Sequence, residues 1–164
     1  MTATDHNLKS SYREALIEHL FVGELMKALW LQGKTMEVAK PQVDDSGYDL
    51  ILDCGGVTRH VQLKASHRGS RTQHVLVNLK LSQKPSGCVV WVHFDDGTME
   101  LGPLYWFGSE PGKPLPDITG MKVATHQRRN AEGIKPERPN IRIVPKSKFE
   151  EVKSIPELLT KLFG

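Results

Sequence analysis

Apolar residues recur with a helical period over residues 12–32, and Gly33 breaks the pattern. Ser10 or Ser11 can cap the start of this predicted helix. Apolar side chains occupy much of its circumference, which implies a sheet on one side and something else on another, and Gly23 permits a close approach. Residues 35–39 read as an edge strand, and residues 43–47 as a turn. Two strand-like stretches, 48–53 and 59–65, flank Cys54-Gly55-Gly56-Val57-Thr58, whose paired glycines predict a hairpin. Residues 75–81 alternate like a strand yet are long enough for a short helix, and the pattern alone does not decide between them. A continuous apolar run at 88–94 predicts a buried strand, which Asp95-Asp96-Gly97 turns into a further strand over 98–107. Beyond Gly108 six prolines (Pro111, Pro114, Pro116, Pro136, Pro139, Pro145) predict a segment that wraps the surface, with one short helix near residues 122–131. An amphipathic helix over 155–163, with Pro156 in its first turn, closes the chain.

This order predicts an α/β protein, a mixed central β-sheet flanked by helices, with a basic, proline-rich C-terminal extension. At 164 residues the chain has the length of one domain: a core over 12–94, then a hairpin, the basic segment and the terminal helix over 95–164. No run approaches the roughly 18 apolar residues of a membrane span. Residues 1–9 are polar and lack the pattern of a secretory signal, so a cytoplasmic location is expected. Cys54 and Cys88 lie in or beside apolar runs without the spacing of a zinc or redox pair, and are expected to be buried thiols.

Net charge is only +3, but it is unevenly spread. Between Lys113 and Lys148 there are nine Lys and Arg against three acids, so the rest of the chain is net acidic. A basic segment beside an acidic half suits a phosphate-gripping surface next to a cation site, and a solvated basic tail is the alternative.

Helix with Glu, edge strand, strand opening at Asp49, hairpin, strand ending in Gln62-Leu63-Lys64: this order resembles the PD-(D/E)xK nuclease superfamily, the restriction endonuclease-like fold, in a Gln-x-Lys variant. The resemblance covers residues 12–94 and is one of pattern. It implies a metal-dependent endonuclease that hydrolyses phosphodiester bonds, with Asp49 and the residue at position 62 as metal ligands and Lys64 serving the attacking water. Glu18 is the choice for the helix acid, because it projects in the sector of Phe21, Val22, Leu25 and Leu29; Glu24, which falls with Arg13 and Lys27, is the secondary candidate. Chemistry agrees. Hard divalent ions take oxygen ligands, and Asp49, Glu18, the Gln62 amide oxygen and the Leu63 backbone carbonyl supply four, which suits Mg²⁺ or Mn²⁺. Strand alternation puts Gln62 and Lys64 on one face and Leu63 on the other.

Two departures from the family pattern matter. Tyr48 stands where the motif has Pro, and Gln62 where it most often has Glu. A neutral amide holds a cation less tightly unless Glu18, Asp44 or Asp45 compensates. The alternative reading is therefore a catalytically inactive module of the same fold that binds nucleic acid or a protein. DNA is the expected partner ahead of RNA, and the resemblance implies a homodimer. His67, Arg68 and Arg71 follow the Lys motif and are candidates for phosphate contact, as are Arg128, Arg129 and Lys135 in the basic segment. Tyr105-Trp106-Phe107 reads as core, with base stacking as the alternative.

Overall fold

The structure, a computed structural model, describes residues 9–164. Helix α1 (Ser10–Leu31) buries Ile17, Phe21, Leu25 and Leu29 along one stripe. It starts without a side-chain cap: Lys9 holds the N-cap position, and Ser10 and Ser11 lie inside the first turn, so neither plays the expected role. Gly33, at φ 69°, ends it as the sequence predicts.

Six strands form the main sheet in the order β1-β2-β3-β5-β6-β9. They are β1 (Glu37–Ala39), β2 (Leu50–Cys54), β3 (Val57–His67), β5 (Gly87–Phe94), β6 (Leu101–Gly108) and β9 (Glu150–Val152). Gly55 and Gly56, both at positive φ, make the two-residue turn that joins β2 to β3. Every neighbouring pair is antiparallel except β3 and β5, which run parallel with Lys64 opposite Trp91. The sheet is mixed, as expected. Its parallel step requires a crossover, which β4 (His74–Asn78) and a 3₁₀ turn (Leu79–Gln83) supply. The ambiguous stretch at 75–81 is thus strand first and helical turn second, and Asn78 makes the switch by accepting the Lys80 N–H on its side-chain oxygen at 3.0 Å.

The two faces are covered differently. On one face α1 and the closing helix α2 (Ile155–Phe163) pack on Leu50, Leu52, Val61, Val90 and Trp106. On the other face no α-helix lies among the described residues. A three-stranded antiparallel sheet of β4, β8 (Glu137–Pro145) and β7 (Val123–Thr125) sits there with β8 in the middle. Val75, Val77 and Val144 meet Val89, Trp91 and Phe107 across the gap, joined by Leu115 and Ile118 of the proline-rich segment. The helices therefore flank the main sheet on one side only.

The short helix expected near residues 122–131 is replaced by β7 (Val123–Thr125) and a loop. Two β-branched residues favour the strand, where Thr125 pairs with Glu137 and Val123 with Arg142. Asn130 then turns the chain, its side-chain oxygen accepting the N–H groups of Glu132 and Ile134. Helix α2 spans the predicted residues with Pro156 in its first turn, and it has a cap that was not predicted. Ser154 Oγ accepts the Glu157 N–H, and Glu157 Oε2 accepts the Lys153 N–H.

Candidate active site

The candidate site arises because β3 outruns its hairpin partner. Strand β2 begins at Leu50, opposite Val61, while β3 continues to His67. Asp49 occupies the step so formed. Its N–H donates to the Val61 carbonyl at 2.8 Å, and its Oδ2 accepts the Leu63 N–H at 2.7 Å, so a carboxylate takes the place of the next backbone rung. In a strand the N–H and C=O of one residue point to the same side, which turns the Leu63 carbonyl toward Asp49 as well. Gln62 is 8% exposed, and its Oε1 is buried with no hydrogen-bond partner. An acceptor left bare in such a place costs about 1–3 kcal/mol unless something meets it. Lys64 follows on the same face of the strand.

A cleft of about 750 Å³ gathers Asp49, Gln62, Leu63 and Lys64 with Glu14 and Glu18 of α1, Lys40 and Asp44. Burial raises the Asp49 pKa above the ordinary carboxylate range. The Leu63 N–H and the Lys64 charge pull it back, while Asp44 and Glu18 push it further up. Burial also lowers the Lys64 pKa; Asp49, Asp44 and Glu14 oppose that shift and Arg138 reinforces it. Acid and amine are thus both partly desolvated, and each sustains the charge of the other. Glu18 is held through Oε1 by Lys40 Nζ at 2.6 Å. Among the described residues no three His, Cys, Asp or Glu side chains converge as a metal cluster. A cation here would need the amide of Gln62 and the Leu63 carbonyl beside the carboxylates, and that all-oxygen set, with its one bare oxygen, fits a hard divalent ion.

The structure brings Glu18, Asp49, Gln62, Leu63 and Lys64 together and leaves Glu24 out. Glu24 lies beside Lys27 at 3.9 Å, against a separate depression with Leu101 and Val152. His67 lines the cleft, near Asp96 at 3.6 Å. Arg68 instead fastens the β5–β6 turn: its Nε donates to the Gly102 carbonyl at 2.6 Å, and its Nη1 lies 3.9 Å from Asp95 and 3.8 Å from Glu100. Arg71 is exposed between Ser70 and Thr72, both of which line the cleft. Arg128, Arg129 and Lys135 are exposed on the loop between β7 and β8, not on a helix, and none lines the cleft. Trp106 and Phe107 are buried, on opposite faces of the sheet, in keeping with the core reading.

Lys40, Glu14 and Arg138 were not singled out from the sequence. Lys40 was within reach of such reasoning, since it directly follows β1, whose Ala39 pairs with Ile51. Arg138 depends on the pairing of β8, where it lies opposite Ala124, and left no local signal. A larger groove, about 1160 Å³, runs along Trp106, Pro114 and Thr160. It shares no lining residue with the cleft that holds the buried acid and amine.

No family model matches the chain, and no curated protein matches it. Among solved structures it is similar to a bacterial homing endonuclease at 17% identity, over 71% of this chain and 82% of that one, with a TM-score of 0.31. An overlap that loose leaves the functional reading to the cleft itself. Among the described residues no helix is long and apolar enough to cross a membrane.

Proposed function

We propose that the cleft is the active site of a Mg²⁺- or Mn²⁺-dependent endonuclease that hydrolyses phosphodiester bonds in DNA. The observation that carries the reading is the bare, buried Oε1 of Gln62 beside a carboxylate fixed to the backbone of the next residue. Asp49, Gln62, the Leu63 carbonyl and Glu18 would hold the cation, with Lys40 giving up its grip on Glu18 as it binds. When bound, the ion supplies Lewis acidity toward the phosphoryl oxygens and a more acidic water. Lys64 orients the nucleophile and offsets the negative charge that builds on the phosphorus oxygens, an effect strengthened by its partial burial. Asp49 keeps Lys64 charged. Arg138, whose charge is felt at Lys64, and exposed Arg71 would hold the flanking phosphates, which would set the polynucleotide along the ledge of β3.

A second reading, a binding module without cleavage, is favoured by the neutral amide at position 62. Supercoiled, branched and single-stranded DNA incubated with Mg²⁺ or Mn²⁺, beside EDTA controls and Lys64→Met, separates the two. Metal-dependent cleavage that falls about 10²- to 10³-fold in Lys64→Met is the expected result. DNA binding without cleavage in either protein would establish the module instead, and cleavage indifferent to Lys64→Met would remove this cleft from consideration.

A further inference from the structure

Among the described residues the face of α1 turned away from the sheet is largely uncovered, with half-buried Leu16 bordering Asp96, Gly97 and Met99. Tyr12, Leu16, His19, Gly23, Met26 and Trp30 fall on it at alternating spacings of four and three residues, the seam spacing of a helix that packs on another helix. Tyr12 is 73% exposed, Met26 50% and Trp30 76%, and Leu31 at the edge is 78% exposed. The stripe also reads the same from either end. Aromatic Tyr12 and Trp30 terminate it, Leu16 and Met26 lie inside them, and His19 and Gly23 form the centre, all symmetric about position 21.

We propose that α1 is a homodimer interface, packing antiparallel against α1 of a second copy about a two-fold axis at the level of Phe21. In that register Tyr12 meets the partner's Trp30, Leu16 meets the partner's Met26, and His19 sits over the partner's Gly23, each contact made twice as an isologous interface requires. The small residue faces the large one. Gly23 supports this independently: a Cβ there would touch nothing within 4 Å, so the fold of one chain gives no reason for glycine in a helix interior, where it is unfavourable. Closeness to a second helix does give one.

Area agrees with a dimer as the occupant. Tyr12, Met26, Trp30 and Leu31 together present on the order of 600 Å² per chain, given the 150–250 Å² of a large aromatic side chain. A stable interface takes about 800 Å² per partner, and Leu16 and the stem of Lys27 on the same face make up the difference. Over 18 residues the seam is about 27 Å long, enough for a helix pair. This inference stands whether or not the cleft cuts DNA.

Sedimentation equilibrium of the full chain up to about 100 µM tests it, because dimerisation depends on concentration. A dimer is expected, with the dissociation constant weakened at least about 100-fold by Trp30→Glu, a hot-spot-sized effect at an exposed site. Gly23→Leu is expected to dissociate the dimer while keeping the helical circular dichroism of the monomer. For the register, Tyr12→Cys/Trp30→Cys should cross-link between chains under oxidation, and neither single variant should. Cys54 and Cys88 are buried and do not interfere. A monomer at the highest concentration, a dimer untouched by Trp30→Glu and Gly23→Leu, or cross-linking by Tyr12→Cys alone would each overturn the proposal.

Discussion

Replacing Asp49 by Asn and by Ala separates the two tasks of one carboxylate. Asn keeps an oxygen that can accept the Leu63 N–H, now held at 2.7 Å, whereas Ala leaves that donor bare. The difference between the two variants should therefore be about 1–3 kcal/mol in favour of Asn. Charge adds a second, pH-dependent contrast. The folded protein holds the Asp49 proton more tightly than the unfolded chain does, because burial raises its pKa, so stability from this group is complete at low pH and is lost as pH rises through the folded pKa. The attraction to Lys64 is already counted in that net upward shift. Asp49→Asn has no such loss, and without divalent ions it should be at least as stable as the wild type at neutral pH. Mg²⁺ reverses the order: at ten times its dissociation constant it should add about 1.4 kcal/mol to the wild type and little to either variant. Urea unfolding at acidic and neutral pH, with and without Mg²⁺, measures all of this. Equal stabilities for Asn and Ala would refute the backbone anchor, and equal gains from Mg²⁺ in Asn and wild type would refute the cation site.

Three further outcomes are expected. Gln62→Glu should bind Mg²⁺ roughly tenfold or more tightly, since ligand charge tunes such sites, and should lower stability without the ion by crowding a third acid beside Asp49 and Asp44; thermal melts across a Mg²⁺ titration check both. Gly47→Ala should cost about 1–3 kcal/mol and abolish cleavage, because φ there is +75° and the new Cβ would lie 2.5 Å from Asn78 Cβ, forcing the approach to Asp49 out of place. Arg59→Met should destabilise by about 3 kcal/mol or more in urea, since the fully buried guanidinium donates to the carbonyls of Leu162, Ser109 and Lys161 at 2.7, 2.8 and 2.9 Å; Arg59→Lys should not rescue it, lacking the fork.

What could be read from the sequence was local. The α1 stripe, the Gly55-Gly56 turn, the apolar run of β5 and Pro156 in the first turn of α2 each depend on residues within a few positions, where periodicity and turn chemistry act directly. Strand alternation was enough to place Gln62 and Lys64 on one face. Long-range pairing escaped. Val123–Thr125 becomes a strand only because β8 lies alongside, and the second sheet, which replaces a flanking helix, exists only through contacts such as Val75 opposite Val144. Arg138, in β8, is near enough for its charge to lower the Lys64 pKa slightly only because of that second sheet, so no local pattern could have marked it.

The position that looked weakest in the sequence has the clearest physical signature in the fold. Gln62 seemed a defect because an amide brings no charge, yet the Asp49 pKa is already raised, by burial above all, with Asp44 and Glu18 adding smaller upward pushes. A fourth carboxylate at position 62 would add to that repulsion whenever the cation is absent. An amide offers the oxygen without the charge, and leaving that oxygen bare costs less than burying another anion. On the proposed reading, an amide at position 62 exchanges cation affinity for the stability of the empty cleft, and the binding module and the nuclease differ in whether the remaining affinity suffices at the Mg²⁺ available.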